Sequence, residues 1–383
     1  MELEEFYRGF AGAEERLDEP FLQGVAVAYA TGVTQRFLER HREFLGGGLD
    51  AALDRFTTMD VDFSTAWEPT FGLFGEILAN RSPVDPADAA TRLGLWLASC
   101  GISARWEQPL LSPVACRFGP YPLPKADYIR IESDGSEAAI VVSLDGRTTV
   151  LELRRTEEGW STDGVARLPQ VRLMDRHLTF LVGDLLESPD FEYLREDLLA
   201  ESEWESLPTD YGRTCELMRQ HAPEYLAWVD RVMRYVLPLR GEGATINSGS
   251  SKGEPGLSHI SCTAGAIQLG EMLVHESTHH YYYLVTRLGP VDDGSDTNEY
   301  YSPVKGRNRP IYYILLAYHA FANVLLFTRA CRESGWPDGD GYLAKNERDL
   351  VSQLDQLKAG LLKTKALTPL GSSLWEPLAA RIG

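Results

Sequence analysis

Positive charge is what this 383-residue sequence has least of: 37 lysines and arginines face 56 aspartates and glutamates, a formal net charge of −19. Such a balance repels a polyphosphate, and no basic patch interleaved with aromatics offsets it, so no nucleic-acid partner is expected. Cysteine is also sparse. The five residues Cys100, Cys116, Cys215, Cys262 and Cys331 are dispersed and odd in number, with no Cys-x-x-Cys pair to suggest zinc or redox work. Reduced thiols and a cytoplasmic location are the expectation. No run of about eighteen apolar residues marks a membrane span. The acidic, interrupted opening MELEEFYRGF has the wrong pattern for a signal peptide, so no membrane partner is expected either. The sequence also lacks internal repeats and low-complexity tracts, which argues against a solenoid.

What is present is an ordinary globular composition, 44% hydrophobic and 24% charged. The length suits two or three domains, or one large enzyme domain with insertions. The hydrophobic period divides it. Residues 1–118 read as an N-terminal helical region, since FLQGVAVAYATGVTQRFLERHREFL and ATRLGLWLASC carry apolar residues three and four apart. Within 119–205 the period drops to two in DYIRIES, EAAIVVSL and TTVLELRR. The separators SDGS, LDGR and TEEG make this an antiparallel β-meander, and helices follow it. Helices dominate 206–383, around two short strand-like runs, YVLPL and LSHISC. LSHISC occupies the place of an edge strand that would hold an extended peptide, and its His259 reads as a core or loop residue. The fold class is therefore mixed α+β, mainly helical, with a central antiparallel meander and a C-terminal helical metal-binding part.

The chemistry concentrates in EMLVHESTHHYYYL, residues 271–284. Helical spacing puts His275 and His279 on one face, about 5–6 Å apart at Cβ, from where two imidazoles can converge on one ion. Glu276 is rotated by about 100° from His275, placed to reach a metal-bound water rather than the metal. Six and ten residues after His275 stand Tyr281 and Val285, where an astacin-like site would need histidine, so the third ligand comes from elsewhere. Two residues offer themselves. Glu299, in TNEYYS, sits in an Asn-Glu-x-x-Ser setting like that of thermolysin-like zinc peptidases. His319 sits among Ile314, Leu315, Phe321 and Leu325, where an imidazole is unfavourable without a strong acceptor or a metal.

The succession of HESTH, a tyrosine-rich turn, SPVKGRNRP and LLAYHAFANVLLF resembles the HEXXH-motif peptide-modification proteins of ribosomal peptide natural-product clusters. The resemblance covers residues 230–383, including the closing ALTPLGSSL. It implies an iron(II)- and 2-oxoglutarate-dependent oxygenase that hydroxylates a side chain of a ribosomally synthesized precursor peptide, with His275, His279 and His319 holding the iron. A 2-oxoglutarate site also needs a fixed cation for the distal carboxylate, best a guanidinium. Arg309 of the Arg309-Pro310 pair is the candidate. It stands at a helix start, about 15 Å along the axis from His319, with Lys305, Arg307 and Arg329 as rivals. Two alternatives stay open: a zinc metallopeptidase with Glu276 as general base, and a non-catalytic peptide-binding protein.

Overall fold

Aspartate followed closely by proline starts two of the long N-terminal helices. In the computed structural model, which describes residues 3–15, 17–185, 197–241, 247–262, 265–338 and 341–383, this part comprises α1 (Leu3–Arg8), α2 (Glu19–His41), α3 (Leu49–Phe56), α4 (Phe63–Ala66), α5 (Pro69–Leu78) and α6 (Pro86–Ser99). The Asp18 carboxylate accepts the Phe21 N–H at 2.8 Å, and Asp85 accepts that of Ala87 at 2.8 Å. Each satisfies a backbone donor that the first helical turn leaves free.

The helical stretch ends earlier than its composition suggests. The strand β1 (Ala104–Val114) precedes two short strands, β2 (Arg117–Phe118) and β3 (Tyr121–Pro122), and then the meander of β4 (Ala126–Ser133), β5 (Glu137–Leu144), β6 (Arg147–Thr156) and β7 (Gly159–Ser161). These form an antiparallel sheet in the order β1-β4-β5-β6-β7. β1 alternates cleanly, with Ala104, Trp106, Gln108 and Leu110 buried, while Pro109 and Pro113 are tolerated because it lies at an edge. The expected turns are present. Asp145 and Gly146 both take positive φ, 50° and 74°, as a two-residue hairpin with the right-handed twist demands.

A second sheet holds the short apolar runs. β8 (Gln170–Arg172) and β9 (His177–Phe180) precede α7 (Leu207–His221) and α8 (Pro223–Val232), which lead into β10 (Tyr235–Leu239), β11 (Ser248–Ser250) and β12 (Leu257–Ser261). The order is β11-β12-β10-β9-β8, with β10 parallel to both β9 and β12. The LSHIS strand is thus interior, and β11 is the edge. His259 faces Gly249 across that pair. A Cβ on Gly249 would come within 2.5 Å of the His259 ring, so the ring occupies space that only glycine leaves open.

The remainder is α9 (Ala266–Val285), the hairpin of β13 (Glu299–Ser302) and β14 (Arg307–Pro310), and the helices α10 (Ile311–Glu333), α11 (Tyr342–Leu361) and α12 (Pro369–Ile382). α10 is long and apolar enough to cross a membrane, but 72% of that stretch is buried inside the fold. One contiguous apolar core runs from Phe10 to Leu378 and draws on all three sequence segments. No cysteine forms a disulfide among the described residues.

A buried ion pair ties the segments together. Arg117 donates to Glu68 Oε1 at 2.6 Å, and the Tyr235 hydroxyl donates to Glu68 Oε2 at 2.8 Å. Glu68 is only 2% exposed, so removing its charge strands a guanidinium in a dry site. Glu68→Gln is expected to lower the free energy of unfolding by about 3 kcal/mol, measured by urea denaturation. A loss within experimental error of zero would show that water or another group replaces the carboxylate.

Candidate functional site

α9 carries the histidine motif into the interior. Val274, Tyr281 and Val285 are fully buried, whereas Leu288 lies beyond the helix end and is 39% exposed. Tyr281 stacks on Trp228 at 3.5 Å between ring centroids, and its hydroxyl donates to the Trp228 carbonyl at 3.0 Å. That face fixes the helix rotation. The opposite row holds His275, His279, Tyr283 and Arg287, each four residues from the last.

Within this row the rings of His275 and His279 lie 4.6 Å apart, nearly perpendicular. Phe321 of α10 approaches His275 edge-on at 5.2 Å, and Tyr283 lies parallel to His279 at 6.1 Å. Burial lowers both imidazole pKa values. His275 falls to about 4, with the Lys305 ammonium adding to the effect, and His279 falls well below the ordinary range. Both rings are neutral at physiological pH, with lone pairs free for a metal without prior proton loss.

Glu276 is 1% exposed. Its Oε1 accepts the Ser248 hydroxyl of the edge strand at 2.7 Å, and its Oε2 is buried with no hydrogen-bond partner. Burial pushes this carboxyl up to about 7, against the lowering effect of Ser248 and Ser250. Tyr283 of α9 and Arg287, two residues past the end of that helix, hold the same stretch of chain. The Tyr283 hydroxyl donates to the Ser250 carbonyl at 3.3 Å, and Arg287 donates to the Lys252 carbonyl at 2.8 Å. The Ser261 N–H bonds the Asn247 carbonyl at 2.9 Å, so the backbone groups of Ser248 and Ser250 face away from β12. α9 therefore caps outward carbonyls that an open sheet edge would leave to another chain.

His319 lies on α10, fully buried. Its Nε2 lies 2.9 Å from the Phe10 carbonyl and 3.0 Å from that of Ala11. Two acceptors at one nitrogen place the proton there and leave Nδ1 as a lone pair. That Nδ1 is buried without a hydrogen-bond partner, as is the Nδ1 of His279. His319 also acts electrostatically on His279. Among the described residues, however, no three histidine, cysteine, aspartate or glutamate side chains are grouped as a metal-ligand set. The two motif imidazoles are brought together, and His319 is not grouped with them.

The other candidates separate clearly. Glu299 is an exposed residue of the β13–β14 hairpin, and its side chain makes no hydrogen bond or ion pair among the described residues. Arg309, on β14, holds its guanidinium 3.9 Å from the centre of the Tyr313 ring and forms no ion pair among the described residues. Arg329 is committed to Glu347, at 3.0 Å. Lys305, at the hairpin turn, is the cation whose charge acts on His275. His280 is structural: its Nε2 meets the Ser258 hydroxyl at 3.1 Å.

Sequence reasoning missed Ser248, which lies 28 residues from Glu276 with no local pattern to connect them. Tyr283 was within reach, being four residues after His279 on a predicted helix. Compared with known proteins, the chain matches no family model and no curated protein.

One turn before His275, Glu271 fastens α9 to two other helices. It accepts from Tyr342 at 2.6 Å, Asn346 at 2.6 Å and Thr328 at 3.1 Å. Burial nevertheless pushes its carboxyl from 4.5 up to about 7. Between those values the folded chain keeps a proton that the unfolded chain has lost. The stability it contributes is complete below the unfolded value and is lost as pH rises through the folded one. Glu271→Gln should flatten the fall in the urea midpoint between about pH 5 and pH 7. An unchanged slope would assign the pH dependence to other groups.

Proposed function

We propose that this protein is an iron(II)- and 2-oxoglutarate-dependent oxygenase that hydroxylates a side chain of a ribosomally synthesized precursor peptide in the cytoplasm. The observation that carries the reading is His319: a buried imidazole with Nε2 held by two carbonyls and Nδ1 unpaired, electrostatically coupled to His279. Carbonyls that fix the tautomer of a ligating histidine are the usual outer support of a metal site. Glu299, exposed on a hairpin, has no comparable support.

The donors suit the metal. His275, His279 and His319 would hold it, and iron(II) supplies the oxygen-activating chemistry when bound. In the overall reaction a C–H bond becomes C–OH, while oxygen and 2-oxoglutarate are consumed and succinate and carbon dioxide leave. The protein's contribution is placement. Phe321 and Tyr283 flank the two imidazoles and restrict access of water. Lys305 and Arg309, on one hairpin beside the site, offer positive charge to the cosubstrate carboxylates. Ser248 fixes the carboxyl of Glu276, which orients a ligand or the substrate.

One observation favours a zinc peptidase as the second reading. The Oε2 of Glu276 is buried and unpartnered beside the histidine pair, where a general base would stand. The ligand set is tested by metal analysis of anaerobically purified variants. His275→Ala, His279→Ala and His319→Ala should each lower iron affinity by at least about tenfold, while Glu299→Gln leaves it unchanged. Metal retained in the first three would remove the site. A loss in Glu299→Gln alone would replace His319 with a carboxylate.

The cosubstrate provides a separate test. Arg309→Ala should raise the 2-oxoglutarate requirement by about tenfold or more, since removing one partner of a desolvated, charge-assisted pair costs about 2–5 kcal/mol. Arg309→Lys should restore it only in part. Both are read as succinate formation against 2-oxoglutarate concentration, with mass spectrometry of the peptide. Oxygen-independent cleavage, indifferent to 2-oxoglutarate, would leave the zinc hydrolase in place.

A further inference from the structure

The row His275, His279, Tyr283 and Arg287 does not end at the site. It leads, about 12 Å further along the helix direction from His279, to a depression between α9, α2 and α5. Two adjoining cavities of about 350 and 430 Å³ share Tyr29, Arg36, Lys252 and Arg287 as walls. The first also takes in Arg81 and Glu76. Four cationic side chains thus converge on one carboxylate, in a chain whose net charge is −19.

That carboxylate is already used. Glu76 is paired to Arg81, at 2.6 and 2.8 Å, which leaves Arg36, Lys252 and Arg287 without a carboxylate partner among the described residues. Arg287 lies 3.8 Å over the Tyr29 ring, and one of its amino groups is spent on the Lys252 carbonyl. Its Nε is buried with no hydrogen-bond partner. The Lys252 ammonium has no hydrogen-bond partner among the described residues either. Lys252 is an exposed residue, and partial desolvation of its ammonium, followed by repulsion from Arg287 and Arg81, lowers its pKa. Like charges held this close, with donors unspent, are stabilised by an anion placed between them.

We propose that the depression formed by Tyr29, Arg36, Lys252 and Arg287 is a binding site for a carboxylate or phosphate group. Arg287 Nε and the Lys252 ammonium supply the unspent donors, Arg36 adds charge at the rim, and Tyr29 supports the guanidinium plane. The site stands whatever the reaction. That the anion belongs to an acidic side chain of a bound peptide rests on the hydroxylase reading, and follows from position: Lys252 is two residues beyond the edge strand that Glu276 and Tyr283 hold.

The test is isothermal titration of the full chain at low ionic strength with two probes, inorganic pyrophosphate and a short peptide containing two glutamates. Saturable one-to-one binding of at least one probe is expected, weakened about tenfold or more by Lys252→Gln and by Arg36→Gln. Arg130→Gln, on the distant meander, should leave it unchanged. Binding should weaken with added salt. Preference for the peptide assigns the anion to polypeptide side chains; preference for pyrophosphate assigns it to a small phosphate compound. Absence of binding by both probes, or binding undiminished in both charge variants, overturns the proposal. Neither metal nor oxygen enters this measurement, so its failure is distinct from a failure of the hydroxylase reading.

Discussion

The burial of α9 is the constraint on which the rest depends. Its apolar face is locked by Tyr281 against Trp228, and this rotation turns the opposite row toward the segment that runs from Ser248 to Lys252. The same burial desolvates His275 and His279, keeps them neutral, and lifts Glu276 toward 7. Packing and chemistry are therefore a single fact here. A helix rotated by one residue, about 100°, would bury Glu276 elsewhere and expose the imidazoles to water.

The N-terminal segment matters to the site although it carries no motif. The carbonyls of Phe10 and Ala11 engage His319, and Asn323, one turn on, donates to the Ala11 carbonyl at 2.8 Å. Glu14 pairs with Arg381 of α12. The first turn of chain thus closes on the last helix and sets which nitrogen of His319 carries the proton. Backbone carbonyls, having no side-chain identity, leave no trace in a sequence pattern.

Legibility followed the range of the interactions. The hairpins around Asp134, Asp145 and Gly159 and the shared face of His275 and His279 depend on residues within about one turn, and all could be read. β1 was missed because Pro109 and Pro113 obscured an alternation that an edge strand tolerates. The swap of edge strand from LSHISC to Ser248–Ser250 was missed because three polar residues of Gly-Ser composition carry almost no strand signal. Ser248 meeting Glu276, and Lys305 acting on His275, join distant parts of the chain, and only the fold brings them together.

Electrostatics makes the last connection. A net charge of −19 repels anions at a distance, but at physiological ionic strength that field fades over about 8 Å. Inside that range local geometry governs. The cations at Arg36, Lys252 and Arg287 on one side of α9, and at Lys305 and Arg309 on the hairpin, act only on a group already brought to the surface by other contacts. A free anion gains little from them before arrival, whereas an anionic group carried on a larger ligand is delivered into their reach. The acidic exterior and these two groups of cations are therefore complementary: the exterior discourages free polyanions, and the cations reward a negative charge held at a defined place.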